Sequence, residues 1–389
     1  MQRFVDERGI GLAPHGKTTM SPQLFQAQLD HGAWGITFAT VGQLAAGVAA
    51  GVRRGLIANQ VLTAVDLAGI AALRTAHVDL RVLFLLDSPA QLRLIEAEFA
   101  AQRSALAAPA AAATTAKPAG AQPYEVLLEV GVQGGRTGCR GHAEAMDLAR
   151  LAHASSGVRL CGIECYEGLG VTGDAQADAA YADALLQRVQ SLAGQCDAEG
   201  LFDGDEVIVS AGGSGLIDLV APALKPRLSR PVQGLLRSGC YITHDQGHYQ
   251  RLGSLINQRL GCGNGLQAAL EVWASVQSMP EPGLALLSVG RRDISFDMGL
   301  PLPLTWCPRA SLSPQPAPAG WAISGLNDQH AYLRLGDDDG APANQAARLA
   351  VGDRIALGIS HPCTTFDKWR WMPIVDDDYR VVDALVTCF

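Results

Sequence analysis

Along the first two-thirds of the chain, two spacings of apolar residues take turns. Short apolar runs of strand length alternate with longer stretches in which apolar residues return every three or four positions. The runs predict strands over 10–17, 34–40, 55–60, 80–86, 124–132, 158–166, 206–211 and 232–240. A helix-like stretch follows each, over 22–31, 41–51, 64–75, 89–101, 142–155, 174–196, 214–221 and 249–260. Start signals mark several of them: Ser21 and Pro22 open the first helix, Ser88 and Pro89 the fourth. Eight strand–helix units in about 260 residues is the count and size of a (β/α)8 TIM-type barrel. An open doubly wound sheet alternates in the same way, but no Gly-x-Gly-x-x-Gly turn follows the first strand, which favours the barrel.

After about Gly263 the pattern changes. Helical periodicity fades, and short alternating runs at 268–277, 284–294, 332–335, 354–358 and 379–385 are separated by proline and glycine clusters. The expectation is an α/β chain with a barrel over 1–262 and a smaller, mainly-β domain over 263–389. An alanine-, threonine- and proline-rich run at 105–122 reads as a surface insertion, and 313–320 as a proline-rich loop. The aspartate triplets at 337–339 and 376–378 read as solvated turns.

Composition narrows the class. A chain of 389 residues is long for one core, and 48% hydrophobic with 17% charged residues describes a well-buried globular protein. A net charge of −8 argues against a nucleic-acid binder, which would need a basic face. No apolar run reaches the roughly 18 residues needed to span a bilayer, and the N-terminus lacks signal-peptide character. Nine cysteines without a C-x-x-C pair suit free thiols in a reducing compartment, so the expected location is the cytoplasm.

In a barrel of this kind, function collects at the carboxyl ends of the strands. The first strand ends in Pro14-His15-Gly16-Lys17-Thr18, and Lys17 is one of only four lysines among 30 basic residues. A lysine there can aim its amine into the mouth and form an imine with a carbonyl. The fifth strand leads into a glycine-rich loop carrying Arg136, and the sixth ends at Tyr166. The seventh and eighth lead into Gly212-Gly213-Ser214 and Arg237-Ser238-Gly239. Glycine amides on those two loops, with a helix opening near Ser214, suit a phosphate group. A phosphorylated ligand together with an imine-forming lysine points to pyridoxal 5'-phosphate.

These segments, Pro14-His15-Gly16-Lys17-Thr18, Glu129…Gly131…Arg136…Gly138, Gly212-Gly213-Ser214 and Arg237-Ser238-Gly239, resemble the alanine-racemase-like, fold-type III pyridoxal-phosphate enzymes. The nearest branch is that of D-serine dehydratase and D-threonine aldolase, over nearly the whole chain. The resemblance implies a barrel followed by a β-domain, a Schiff base on Lys17, action on D-amino acids, and a homodimer in which one subunit's β-domain borders the other's active site. It implies that Arg136 contacts the cofactor's phenolic oxygen; Tyr166 is expected to line the cofactor pocket, and His15 to be structural. It also implies a further N-terminal strand and most of a helix ahead of the lysine segment, where this sequence has only residues 1–9.

Near the C-terminus, His361 and Cys363 stand two apart in Gly358-Ile359-Ser360-His361-Pro362-Cys363-Thr364. On an extended segment both side chains would point the same way, and imidazole plus thiolate suits Zn2+. The pair supplies half of a tetrahedral shell. The dehydratase branch uses a His-x-Cys zinc pair here and the aldolase branch His-x-Asp, so the resemblance leans toward a dehydratase. Asp293, Asp297, Asp328 and His330 lie in family-like stretches without an assignable role. The expectation is a pyridoxal-phosphate- and zinc-dependent lyase removing ammonia from a D-β-hydroxy amino acid, D-serine first. The alternatives are cleavage of D-threonine or 3-hydroxy-D-aspartate, dehydration of the latter, and a non-catalytic pyridoxal-phosphate carrier.

Overall fold

The structure, a computed structural model, describes residues 1–107, 121–263, 265–311, 313–336 and 349–389. Most of the insertion expected at 105–122 and the whole of the turn at 337–339 lie outside the described residues. The chain divides into two compact units, Met1–Gly239 with Cys388, and Cys240–Thr387 with Phe389. The segment 240–262, assigned to the barrel from the sequence, counts with the second unit.

The first unit holds eight parallel strands: β1 (Gly11–Leu12), β2 (Ile36–Phe38), β3 (Arg54–Gln60), β4 (Arg81–Leu86), β5 (Tyr124–Val130), β6 (Val158–Tyr166), β7 (Val207–Gly212) and β8 (Val232–Leu236). Neighbours pair in the order β1-β8-β7-β6-β5-β4-β3-β2. The ends of that series meet through Trp34 N to Leu12 O (2.7 Å), Thr37 N to Pro14 O (2.8 Å) and a bridge between His15 and Thr37, so the sheet closes on itself. This is the (β/α)8 barrel. Strands buried on both faces account for the unbroken apolar runs in the sequence. Leu56, Leu83, Leu85, Leu127, Ile208 and Leu235 form one buried cluster from five of these strands.

Two differences from the sequence reading bear on function. The expected first strand over 10–17 is cut to Gly11–Leu12, because Pro14 supplies no ladder donor and Gly16–Thr18 winds into a 3-10 turn. Lys17 therefore sits on a tight turn just past the strand. The helix expected from Ser214 starts only at Ile217 and lasts four residues, Ile217–Val220. Gly212 is thus the last residue of β7, and Gly213-Ser214 a loop, not the head of a helix.

The second unit is built on an antiparallel sheet of β9 (Glu271–Glu281), β10 (Leu284–Leu287), β11 (Leu302–Cys307), β12 (Gln315–Pro316), β13 (Ala322–Leu326), β14 (Ala331–Arg334) and β15 (Arg354–Gly358). Their order is β12-β11-β15-β9-β10-β14-β13. A separate ribbon pairs β16 (Trp371–Val375) with β17 (Val381–Val386). Strands β11, β12, β13 and β16 escape the sequence reading. Prolines at 303, 316 and 373 and short, weakly alternating runs disguise them. The loop expected at 313–320 contains β12, an edge strand where proline costs no ladder bond. Val272, Leu287, Trp306, Leu333, Ile355 and Leu357 belong to this unit's core. Among the described residues no helix is long and apolar enough to cross a membrane.

Candidate functional site

In the first unit, most of the residues singled out from the sequence converge at the carboxyl ends of the strands. His15 N donates to Ser238 O (3.1 Å), joining the Lys17 turn to the loop after β8. Ser238 Oγ donates to Gly213 O (2.5 Å), joining that loop to the one after β7. Tyr166, the last residue of β6, lies beside Gly212, and the Arg136 guanidinium stacks 4.5 Å from the centre of the Tyr166 ring. Ser214 follows, half-buried. The glycines are required by close approach. A Cβ on Gly239 would run into Thr18 Oγ1 and His15, and one on Gly213, at φ +95°, would meet the Glu167 carboxyl.

Three cations, Lys17, Arg136 and Arg237, lie near His15 at this end. Burial, then the nearby Lys17, Arg237 and Arg136, push the His15 imidazole well below its usual range and keep it neutral. One imidazole nitrogen, Nδ1, is buried without a hydrogen-bonding partner. The half-buried Lys17 has no ion-pair or hydrogen-bonding partner among the described residues. An unpaired amine, the Arg136 guanidinium and backbone amides on glycine loops fit a ligand that carries a carbonyl and a phosphate. The residues present therefore suit pyridoxal phosphate.

Beneath them runs a buried acid–base network that the sequence reading left without roles. Arg237 donates through Nε to Ser210 Oγ (2.8 Å) and through Nη2 to the Cys165 carbonyl (2.9 Å), and it pairs directly with Glu164. Glu164 stands opposite Ser210 on β7 and Glu129 on β5, so three strands deliver these groups to one level. Burial raises the Glu164 carboxyl to about 8 against the pull of Arg237. Both oxygens of Glu167 are buried without a partner, and burial raises it also to about 8. Strand-end carboxylates and Arg237 are visible in the sequence, but their mutual pairing depends on register across β5, β6, β7 and the turn after β8.

In the second unit, Cys240, His361 and Cys363 place one ligand atom each within 4.8 Å of one another. The sulfurs of Cys240 and Cys363 are 3.6 Å apart. The segment is not extended as the sequence reading held. After β15 it turns at Pro362, which has helical φ and ψ, and Cys363 opens a short helix, Cys363–Phe366. His361 and Cys363 meet because of that turn. Ser295 Oγ accepts from the amides of Ser360 and His361 (3.1 Å each) and fixes the segment. His361 Nδ1 is bound to Asp297 Oδ2 at 2.6 Å, and Thr364 Oγ1 donates to Asp297 Oδ1 at 2.7 Å. Burial disfavours the charged imidazole, but the hydrogen bonds and charges of Cys363 and Asp297 outweigh it and raise His361 to about 9. With Nδ1 taken by a carboxylate, Nε2 is the nitrogen left for a metal, an arrangement common to ligating histidines. This donor set suits Zn2+.

Asp297 thus has a role, and Asp293 a local one. Asp293 Oδ2 accepts from Gly290 N (2.8 Å), and its carbonyl accepts from Trp369 Nε1 (2.7 Å). Asp328 makes an exposed ion pair with Arg292 at 3.3 Å, and the His330 carbonyl accepts from Asn327 N. Cys240, 121 to 123 positions from its partners, gave no sequence signal.

Residues 269–375 match the family model described as "Putative serine dehydratase domain". D-threonine aldolase from an Arthrobacter species is 26% identical over 380 residues, 97% of this chain and 85% of that protein. D-threo-3-hydroxyaspartate dehydratase from a Delftia species is 26% identical over 378 residues, covering 94% and 87%. The crystal structure of D-threonine aldolase from Filomicrobium marinum superposes with a TM-score of 0.76 at 20% identity, over 100% of this chain and 90% of that one. Two solved D-threo-3-hydroxyaspartate dehydratase variants replace by alanine a histidine and a cysteine two positions apart, the cysteine variant being a metal-free form. Similarity along almost the whole chain, the serine dehydratase match and the shared fold bear out the resemblance to the D-serine dehydratase and D-threonine aldolase branch of the alanine-racemase-like, fold-type III enzymes.

Proposed function

We propose that this protein is a pyridoxal-phosphate- and zinc-dependent lyase that removes ammonia from a 3-hydroxy-D-amino acid. The observation carrying the dehydratase reading is the sulfur-containing cluster of Cys240, His361 and Cys363. It has the same histidine–cysteine spacing as the pair replaced in the solved D-threo-3-hydroxyaspartate dehydratase variants. 3-Hydroxy-D-aspartate and D-serine are the leading substrates. The relatives favour the first and the family model the second. Aldol cleavage of D-threonine is a second reading, supported by the similarity to the Arthrobacter and Filomicrobium aldolases.

Lys17 would hold the cofactor and, once released, accept the substrate's α-proton at Nζ. Bound there, the cofactor would supply an electron-withdrawing conjugated ring, and the metal a Lewis acid toward the departing hydroxyl. The amides of Gly212, Gly213 and Gly239, with Ser214 and Ser238, would grip the phosphate. Arg136 and Tyr166 would flank the ring, and neutral His15 would leave Lys17 free of competition for its proton. Exposed apolar side chains on the β16–β17 ribbon support a homodimer; Trp371, Val381 and Val382 are 55%, 65% and 62% exposed.

The test is incubation with D-serine, D-threonine and the 3-hydroxy-D-aspartate diastereomers, scoring ammonia and keto acid against glycine and aldehyde, with and without EDTA. Ammonia from any of these, lost in EDTA, is expected. Glycine as the main product would transfer the assignment to aldolase, and neither product would remove it. Borohydride treatment of cofactor-loaded protein should label Lys17, and Lys17→Ala should carry no label.

A further inference from the structure

Cys240 lies outside the His-x-Cys pair, yet its sulfur is 3.6 Å from that of Cys363. It is 6% exposed, whereas His361 and Cys363 are half-buried. The three side chains therefore form a cup whose floor is a thiol and whose rim is the histidine and the second thiol. From the structure we infer that Cys240 is a third protein ligand, making a Cys2His site that selects Zn2+ over harder divalent cations such as Mn2+. This rests on the proposed metal dependence, but not on the identity of the substrate.

Three features carry it. First, the donors come from two segments brought together by the fold, the turn Cys240–Ile242 and the segment 361–363. Packing beside the loop would not by itself aim a buried thiol at the other two donors. Second, Asp297 already holds the far nitrogen of His361, the outer partner that orients a ligating histidine. Third, three protein donors leave one of four tetrahedral positions open, the pattern of a catalytic zinc site and not of a structural one. Two thiolates beside one imidazole form a soft donor set. Mn2+ and Mg2+ prefer carboxylate, carbonyl and water oxygens, whereas Zn2+ accepts sulfur. With the second thiolate the site would therefore discriminate among metals, and with His361 and Cys363 alone it would do so less.

The first measurement needs no variant: X-ray absorption on the Zn2+-loaded protein. Two sulfurs at about 2.3 Å with one nitrogen at about 2.0–2.1 Å are expected; a single sulfur in the shell overturns the assignment. A second compares Co2+-substituted wild type with Cys240→Ser. The sulfur-to-cobalt charge-transfer band should fall by about half, and an unchanged band also overturns it. In chelator competition, Cys240→Ser should lose at least the 10–100-fold in Zn2+ affinity that an outer-shell partner is worth. Its preference for Zn2+ over Mn2+ should narrow in parallel; equal affinities and equal preference in the two proteins would exclude ligation. These readouts are independent of turnover. Two-sulfur zinc in a protein inert toward every D-amino acid would sink the proposed function and keep this inference.

Discussion

The Glu167 carboxyl sits beside Gly213 with both oxygens buried and unpartnered, and burial holds it up to about 8, well above the ordinary glutamate value. Between about pH 4.5 and 8 the folded protein therefore carries a proton there that the unfolded chain has released. More protons bound in the folded state means that stability falls as pH rises through this window. Above it, the full cost of a buried charge is felt. Glu167→Gln keeps the shape and removes the titration. Urea unfolding at pH 5, 7 and 9 should show a flatter profile for the variant. At pH 9 it should be the more stable protein by on the order of 2–4 kcal/mol. Identical slopes would show that Glu167 does not hold this proton. Glu164 contributes to the same slope in both proteins, so some pH dependence should survive. Few of these roles could be read from the sequence. Lys17 stood out by scarcity and by its place at a strand end. The need for neutral carboxyls arises only where strands bring groups into a volume without water.

The helix Val41–Ala49 is fixed by a local cap and by a tertiary contact. Thr40 Oγ1 accepts the Gln43 amide (3.2 Å) and caps its N-terminus. Gly47, in its middle, contradicts helix propensity. The structure gives the reason: its bare Cα faces the buried ring of Phe38 on β2, and a Cβ would collide with that ring. Gly47→Ala should gain about 1 kcal/mol of propensity and lose about 1–3 kcal/mol to overpacking. The expected outcome is a lower melting temperature, and a rise would show that Phe38 yields freely. The metal-bearing segment makes the second case. Ser295 Oγ accepts from two amides of the turn that presents His361. Ser295→Ala should cost about 1–3 kcal/mol in urea unfolding, because those amides lose their acceptor. It should also weaken Zn2+ binding although Ser295 ligates nothing; unchanged affinity would mean the turn holds itself.

At the scale of the whole molecule, alternation made the barrel legible. A strand run followed by a helical period, eight times over, leaves a closed parallel barrel as an economical solution once no dinucleotide-type turn is present. The second unit was legible only in part. Its strands are short, its periodicity is broken by proline, and its sheet order, β12-β11-β15-β9-β10-β14-β13, joins strands far apart in the chain. Its exposed ribbon yields a further prediction. Val381→Asp and Val382→Asp together should shift a homodimer toward monomer in sedimentation, with the melting temperature of the remaining fold changed little, since both side chains already meet water. Unaltered sedimentation at the dimer mass would move the interface elsewhere, and a wild-type monomer would remove it.

By itself the sequence determined the local grammar of this protein: where strands and helices alternate, which lysine stands at a strand end, which loops are glycine-rich, and where a histidine and a cysteine are close along the chain. Those are properties of neighbours, set by backbone geometry and apolar period. Only the tertiary structure decided which distant groups meet. It set the buried Arg237–Glu164 pair, the isolation of Glu167, and the approach of Cys240 to Cys363 across 123 positions. Strand register and chain reversals determine such encounters, and neither leaves a fixed spacing in the sequence.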